Sequence, residues 1–78
     1  MSNLEKYNQA FIETFEVEEA ALDDLAYMGI EQWDSVGHMA LIGALEDSFD
    51  IMMDTDDIID FSSYKKGIEI LSKYDVEI

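Results

Sequence analysis

Hydrophobic residues recur at helical spacing in three stretches of the chain, and the first of them lies near the N-terminus. Leu4, Tyr7, Phe11 and Phe15 follow one another at intervals of three or four residues, which places them on one face of a helix. The segment 2–5, Ser-Asn-Leu-Glu, has the pattern of a capping box, in which the serine and the glutamate each satisfy a backbone N–H group. The sequence therefore predicts a helix that begins after this box and ends near Phe15.

The second stretch predicts a helix over residues 36–49. Its helical stripe comprises Val36, Met39, Ala40, Ile42, Gly43 and the segment from Leu45 to Phe49, with Glu46, Asp47 and Asp50 at the exposed end. Asp34 and Ser35 stand directly before it, and both residue types cap helix N-termini because a short side-chain oxygen accepts from the first-turn N–H groups. Gly37 and Gly43 each cost such a helix about 1 kcal/mol relative to alanine. We therefore expect tight packing or a close approach of another segment at both glycines.

The third stretch closes the chain. Ser62 and Ser63 are candidate caps for a last helix that ends near Tyr74. Its apolar positions are Tyr64, Gly67, Ile68, Leu71 and Tyr74. Before it, the acidic run 54–57 followed by Ile58 and Ile59 predicts a single helical turn at residues 56–60.

Residues 16–33 show no clear period and predict a long ordered loop with a short helical turn within 18–25. No segment shows the sustained alternation of a half-buried strand. The predicted fold is therefore all-α, a small four-helix bundle with three main helices and one short helix. At this length, residues 1–78 form a single domain.

Charge narrows the classes of partner. The chain carries 19 acidic residues against 4 lysines, a net charge of −15, which weighs against binding nucleic-acid phosphates or an anionic membrane surface. A hydrophobic content of 49% favours a folded domain over an acidic disordered tail. No apolar run approaches the roughly 20 residues of a membrane span, and cysteine is absent. We expect a cytoplasmic monomer without membrane insertion, whose partners are basic proteins.

Four further features of the sequence offer only weak evidence of a chemical site. The acidic residues 50–60 lack the ligand spacing of an EF-hand loop, so we interpret them as a solvated cap and predict no metal site. His38, the only histidine, lies three residues from Ser35, but nothing around the pair suggests oxyanion donors. We interpret His38 as an exposed helix residue and expect no enzymatic activity. Trp33 is interpreted as a core anchor rather than a surface lid over the loop. The methionines at 39, 52 and 53 are interpreted first as adaptable core filling and second as the lining of a variable pocket.

Two motifs together resemble the acyl carrier protein family over nearly the whole chain. They are Asp34-Ser35-Val36 and, some ten residues later, Ala44-Leu45-Glu46-Asp47-Ser48-Phe49-Asp50. The resemblance implies that Ser35, with Asp34 beside it, is the attachment site of 4′-phosphopantetheine. It also implies that a separate phosphopantetheinyl transferase moves this arm from coenzyme A. A phosphodiester at Ser35 would lie at a helix N-terminus, which favours an anion.

The resemblance also implies partners and a place for the cargo. Glu46 and Asp47, with Val36 and Met39, would dock an acyl- or aminoacyl-loading ligase and downstream transferases that present basic patches. Met53, Ile58 and Ile59 would flank the acyl chain. Because the two isoleucines are bulky, we expect short or polar acyl groups.

Two alternatives stay open. Gly37 and Ala40 stand where carriers of fatty-acid synthesis usually place further acids, so a discrete carrier of a specialised pathway is favoured over the housekeeping fatty-acid carrier. In the second alternative the chain is an unmodified acidic helical adaptor that binds a basic protein, and Ser35 serves only as a helix cap.

Overall fold

A computed structural model describes residues 2–78, and helices account for most of them. The elements in chain order are α1 (Asn3–Phe15), a 3₁₀ helix (Glu19–Asp24), α2 (Ser35–Phe49), α3 (Thr55–Asp60) and α4 (Tyr64–Ser72). Residues 2–78 form no β-strand, only one isolated bridge between Ala26 and Ser63. The predicted all-α bundle of three main helices and one short helix is confirmed.

The predicted capping box begins α1. Ser2 Oγ accepts from the backbone N–H of Glu5 at 3.1 Å, and Glu5 Oε1 accepts from the N–H of Ser2 at 3.2 Å. At the other end Glu16 adopts a left-handed conformation with φ 55°, a common way for a helix to stop. The first helix therefore has the bounds that the sequence predicts.

Aromatic rings fill the centre of the bundle. Phe11 and Phe15 of α1 pack on Trp33, with ring centroids 5.6 Å and 5.1 Å from that of Trp33. Phe61 packs against both Phe11 and Trp33. The Trp33 side chain is fully buried, which confirms its prediction as a core anchor. Leu4, predicted on the same face of α1, is exposed instead.

Helix α2 buries Ile42 and Leu45 of the predicted stripe but not the first residues of that stripe. Its buried residues are His38, Leu41, Ile42 and Leu45. Val36 is 78% exposed and Met39 is 56% exposed, although both belong to the predicted apolar stripe. The helix carries apolar residues on both faces, so the aromatic cluster of α1 and Trp33, rather than the periodicity, decides which face is buried.

The segment 16–33 is ordered, as predicted, and hydrogen bonds fasten it to the start of α4. The N–H of Tyr27 donates to the carbonyl of Ser62 at 2.9 Å, and the N–H of Tyr64 donates to the carbonyl of Leu25 at 3.0 Å. The 3₁₀ helix in its first half is the predicted short turn, and Leu22 anchors it in the core. The loop is therefore held against the bundle on the side where α2 begins.

The interpretation of the acidic residues 50–60 as a solvated cap is wrong for Asp57. Asp57 is buried and accepts from Lys73 Nζ and from the Tyr74 hydroxyl, each at 2.5 Å. The pairing ties α3 to the end of α4, which closes at Ser72, two residues before the predicted bound. No helix within residues 2–78 is long and apolar enough to cross a membrane.

The methionines divide between core and surface. Met53 is buried and fills the core as expected, whereas Met39 and Met52 are exposed, Met52 to 87%. The prediction that all three serve as core filling is therefore wrong for Met39 and Met52. Met39, which follows Ser35 by one turn, is 56% exposed and is therefore accessible to a ligand or a partner.

Candidate functional site

Ser35 is the first residue of α2, and the residue that caps this helix is Asp34. Asp34 Oδ1 accepts from the N–H of Gly37 at 2.9 Å, and the Asp34 carbonyl accepts from the N–H of His38 at 2.8 Å. Among residues 2–78 the Ser35 hydroxyl has no hydrogen-bond partner, and its side chain is exposed. The prediction that Ser35 could serve as the helix cap is therefore wrong, and its hydroxyl is free for chemistry.

The first turn of α2 favours an anion at Ser35. The backbone N–H groups of Ser35 and Val36 precede the first intrahelical hydrogen bond, so the helix itself offers them no acceptor. The positive end of the helix dipole lies at the same place. A phosphate attached to Ser35 Oγ would lie next to both.

Gly37 sets how closely the preceding loop approaches this turn. A Cβ atom at position 37 would lie 1.9 Å from the carbonyl oxygen of Gln32, which no side chain could tolerate. The expectation of a close approach is confirmed at Gly37. At Gly43, by contrast, no atom lies within 4 Å of the Cβ position, so the same expectation is wrong there.

A pocket of about 350 Å³ opens beside Ser35, and its surface is largely apolar. It lies between the loop before α2, the first turns of α2, and α3 with the residues that follow it. The lining residues are Tyr27, Ser35, His38, Met39, Ile58, Ile59, Phe61 and Ser62. The structure thus brings Ser35 together with three of the predicted docking or cargo residues, Met39, Ile58 and Ile59.

Met53 does not line this pocket. Its side chain is buried, and its N–H donates to Glu46 Oε2 at 2.9 Å. The contact uses part of the Glu46 carboxylate to hold the segment that follows α2. Of the predicted cargo residues, only Ile58 and Ile59 border the pocket.

His38 forms the inner side of the pocket, and both of its ring nitrogens are engaged. Trp33 Nε1 donates to His38 Nδ1 at 2.9 Å, and His38 Nε2 lies 2.7 Å from the carbonyl oxygen of Ile58. Because an indole N–H can only donate, Nδ1 is the acceptor and Nε2 carries the proton that bonds Ile58. His38 is only 9% exposed, so its interpretation as an exposed helix residue is wrong. Neither nitrogen is free to take a proton from Ser35.

The predicted docking residues lie on the open side of α2. The side chains of Val36, Met39 and Asp47 are exposed, while Glu46 is half-buried. Ile59 of α3 adds a further exposed apolar side chain. The surface around Ser35 therefore combines apolar side chains near the serine with a carboxylate, Asp47, further along the helix.

Sequence reasoning missed four of the pocket residues. Tyr27 lies in a loop without periodicity, and Phe61 and Ser62 follow a helix of only six residues. The role of His38 depends on its hydrogen bond to Trp33 across the turn between them. The one available signal was the set of apolar residues in the loop 16–33, among them Tyr27, which indicates that this segment lies against the bundle.

Within residues 2–78, no three His, Asp or Glu side chains lie close enough together to hold a metal ion. Comparisons with protein-family models, with curated proteins and with solved structures gave no match for this chain. What supports a function is therefore the geometry around Ser35 together with the two motifs in the sequence.

Proposed function

We propose that this protein is a carrier that holds acyl or aminoacyl intermediates as thioesters on a 4′-phosphopantetheine arm attached to Ser35. One observation carries the proposal. The Ser35 hydroxyl is exposed, free of hydrogen bonds within residues 2–78, placed on the first turn of α2 and adjacent to an apolar pocket. A helix cap or a core serine would not combine these properties.

The attachment step needs no catalytic group of this chain. Ser35 Oγ attacks the phosphorus of coenzyme A that bears the pantetheine. A new O–P bond forms, the bond to the leaving adenosine 3′,5′-bisphosphate breaks, and the serine proton passes to a base of the separate transferase. His38 plays no part, since its nitrogens bond Trp33 and Ile58. The phosphodiester that results is an anion at the N-terminus of α2, where it is stabilised.

The arm supplies a thiol, which this cysteine-free chain lacks, and the thiol carries the cargo as a thioester. The chain itself provides an attachment point, an apolar pocket and a surface for partners. It is a substrate and shuttle for a loading ligase and downstream transferases, and not an enzyme.

Two features favour a specialised pathway over fatty-acid synthesis. The carbonyl of Gln32 leaves no room for any side chain at position 37, so the acidic residue that fatty-acid carriers place near there cannot be accommodated. The neighbouring exposed positions Val36, Met39 and Ala40 are apolar. A partner that docks on the first turns of α2 thus meets these apolar side chains together with the exposed Asp34, and the carboxylate of Asp47 lies further along the helix.

Intact-mass measurement tests the proposal. The protein is incubated with coenzyme A and a broad-specificity phosphopantetheinyl transferase. We expect the wild type to gain the mass of one arm and Ser35→Ala to gain none. Ser48→Ala, which removes an exposed serine further along the same helix, is the matched control and should gain the arm like the wild type. No gain on the wild type, or an equal gain on Ser35→Ala, would refute the carrier function.

A second candidate is the unmodified adaptor. It is favoured by the exposed apolar side chains of Val36, Met39 and Ile59 on an acidic protein, since such a surface can bind a basic partner without any arm. If the protein is an adaptor, a strain that carries only Ser35→Ala keeps the biological activity. If it is a carrier, the same strain loses that activity.

A further inference from the structure

The pocket beside Ser35 has an aromatic inner wall. His38 and Phe61 line it, with ring centroids 6.1 Å apart in an edge-to-face arrangement. Behind them lies Trp33, whose ring is parallel to that of His38 at 6.2 Å and edge-to-face with that of Phe61 at 6.4 Å. Trp33 in turn packs on Phe11 and Phe15. The pocket therefore ends against the filled aromatic core of the bundle.

Hydrogen bonds hold this wall in place. The chain of contacts runs from Trp33 Nε1 to His38 Nδ1 and from His38 Nε2 to the carbonyl of Ile58. A ligand that displaced His38 toward the core would leave the buried indole N–H without its acceptor, and buried polar groups without partners are costly. The hydrogen bonds thus make the wall harder to displace than it would be if packing alone held it.

The outer side of the pocket is open. Tyr27, Met39 and Ile59 line it and are exposed, Ile59 to 71%. At about 350 Å³ the pocket lies near the lower end of the range of small-molecule sites, roughly 300 to 1000 Å³. The volume leaves room for a short acyl group, and the aromatic wall rather than the volume stops a chain from extending toward the core. A longer chain can continue only along the open, solvent-exposed side.

We propose that this pocket binds short apolar acyl groups and that the Trp33–His38–Ile58 wall excludes longer chains from the helix core. The inference rests on the proposed function in one respect, because the acyl group would reach the pocket as the thioester of an arm attached to Ser35. It narrows the cargo to apolar acyl groups of a few carbons, and it assigns His38 a role in limiting chain length rather than in catalysis.

Binding of free thioester mimics to the unmodified protein tests this inference. S-acyl-N-acetylcysteamines with acetyl, butyryl, hexanoyl and decanoyl groups are titrated into protein labelled at methionine and isoleucine methyls. We expect saturable NMR shifts at Met39, Ile58 and Ile59. From acetyl to hexanoyl, the Kd should fall by roughly fourfold for each methylene that enters the pocket. Decanoyl should bind no more tightly than hexanoyl.

Two buried isoleucines report on the wall. Ile42 and Ile70 belong to the core, so their methyl signals should not move with decanoyl. A Kd that keeps falling by the same factor through decanoyl, or decanoyl shifts at Ile42 and Ile70, would overturn the length limit. The absence of saturable shifts at Ile58 and Ile59 with every mimic would overturn the site itself.

Matched variants localise the binding. Met39→Ala should weaken hexanoyl binding several-fold because Met39 lines the pocket, whereas Met52→Ala, which removes an exposed methionine outside it, should leave the Kd unchanged. Equal effects of the two variants would contradict the assignment. Because no loaded arm is needed, failure of the transferase to modify Ser35 would refute the carrier function alone, while loss of the length limit would refute this inference alone.

Discussion

At the scale of single residues, Asp34 and Ser35 have separate tasks. Asp34 Oδ1 caps α2 through the N–H of Gly37, and the Ser35 hydroxyl makes no hydrogen bond within residues 2–78. Asp34→Ala should therefore lower the free energy of unfolding by about 1 kcal/mol. Ser35→Ala should change it by less than about 0.5 kcal/mol, because alanine is a good helix former at that position. Urea unfolding followed by circular dichroism measures both.

The opposite order of these two effects would mean that Ser35 caps the helix. Ser63→Ala is a useful control, since Ser63 Oγ caps α4 by accepting from the N–H of Lys66 at 3.0 Å. Its cost should match that of Asp34→Ala. If instead Ser35→Ala cost as much as Ser63→Ala, the free hydroxyl on which the proposed attachment depends would be contradicted.

The two glycines of α2 make a second residue-scale prediction. Gly37→Ala places a Cβ against the carbonyl of Gln32 and should destabilise the protein by about 1 to 3 kcal/mol through overpacking. Gly43→Ala meets nothing within 4 Å and should stabilise it by up to about 1 kcal/mol. Thermal unfolding of the two variants checks the signs, and a destabilised Gly43→Ala would contradict the open space at that position.

The residues near Ser35 show what a sequence can and cannot predict at this scale. Trp33 as an anchor and Gly37 as a point of close approach follow from residue type and position alone. The bond between Trp33 and His38 does not, because it requires the turn between them to bring the two rings side by side. For the same reason Tyr27 and Phe61 could not be placed at the pocket before the loop and α3 were located.

At the scale of elements, α3 depends on its neighbours. It has six residues, and its N-cap Asp54 makes no side-chain capping bond, so it is too short to be stable by itself. The bond from His38 to the Ile58 carbonyl holds it to α2, and Asp57 holds it to the end of α4 through Lys73 and Tyr74. These contacts fix the side of the pocket that Ile58 and Ile59 form.

The hydrogen bonds from Lys73 and Tyr74 to Asp57 predict that the stability of the fold depends on pH. The hydrogen bond from Lys73, and then that from Tyr74, lowers the pKa of the Asp57 carboxyl. A lowered pKa means that the contribution of Asp57 to stability is complete above its unfolded value of about 3.9 and is lost as pH falls through the folded pKa. The same pairing raises the pKa of Lys73, so this contribution is also lost in strong alkali.

The test is to measure the free energy of unfolding of the wild type and of Asp57→Asn at a series of pH values, from neutral pH to below about pH 4. Protonation of the many other carboxylates relieves repulsion in both proteins, so the difference between them carries the result. We expect the wild type to be the more stable at neutral pH and the difference to shrink in acid. Asp56→Asn, an exposed neighbour, should show no such change, and a difference that is independent of pH would contradict the pairing.

The helices themselves were predictable, whereas the buried face of α2 was predictable only in part. Periodicity and capping residues located α1, α2 and α4 to within two residues because each begins at a recognisable cap. In α2, however, Val36 and Met39 are apolar and exposed, while His38 is polar and buried. Because α2 has apolar residues on both faces, tertiary contacts decide which face is buried. These contacts come from residues 11–33.

At the scale of the whole molecule, the net charge of −15 opposes the compact state. Only four lysines offset it, and one of them, Lys73, is committed to Asp57. Added salt screens the repulsion, with a Debye length of about 8 Å at 0.15 M. We therefore expect the Tm to rise when sodium chloride is increased from low to physiological concentration, measured by differential scanning calorimetry.

A variant with fewer charges on the 3₁₀ helix is the control for this effect. Glu19→Gln combined with Asp23→Asn removes two exposed carboxylates and should give a higher Tm at low salt and a smaller rise with added salt. A Tm that falls as salt is added would show that attractive pairs, rather than repulsion, dominate the electrostatics of the fold.

The burial of Trp33 also makes the protein its own optical probe. It is the single tryptophan of the chain, so all indole emission comes from one ring, directly behind His38 and beneath the turn that presents Ser35. Events at the pocket would change the surroundings of that one fluorophore. If the proposed carrier function holds, loading, cargo exchange and partner release can be followed in real time in the unlabelled wild-type protein.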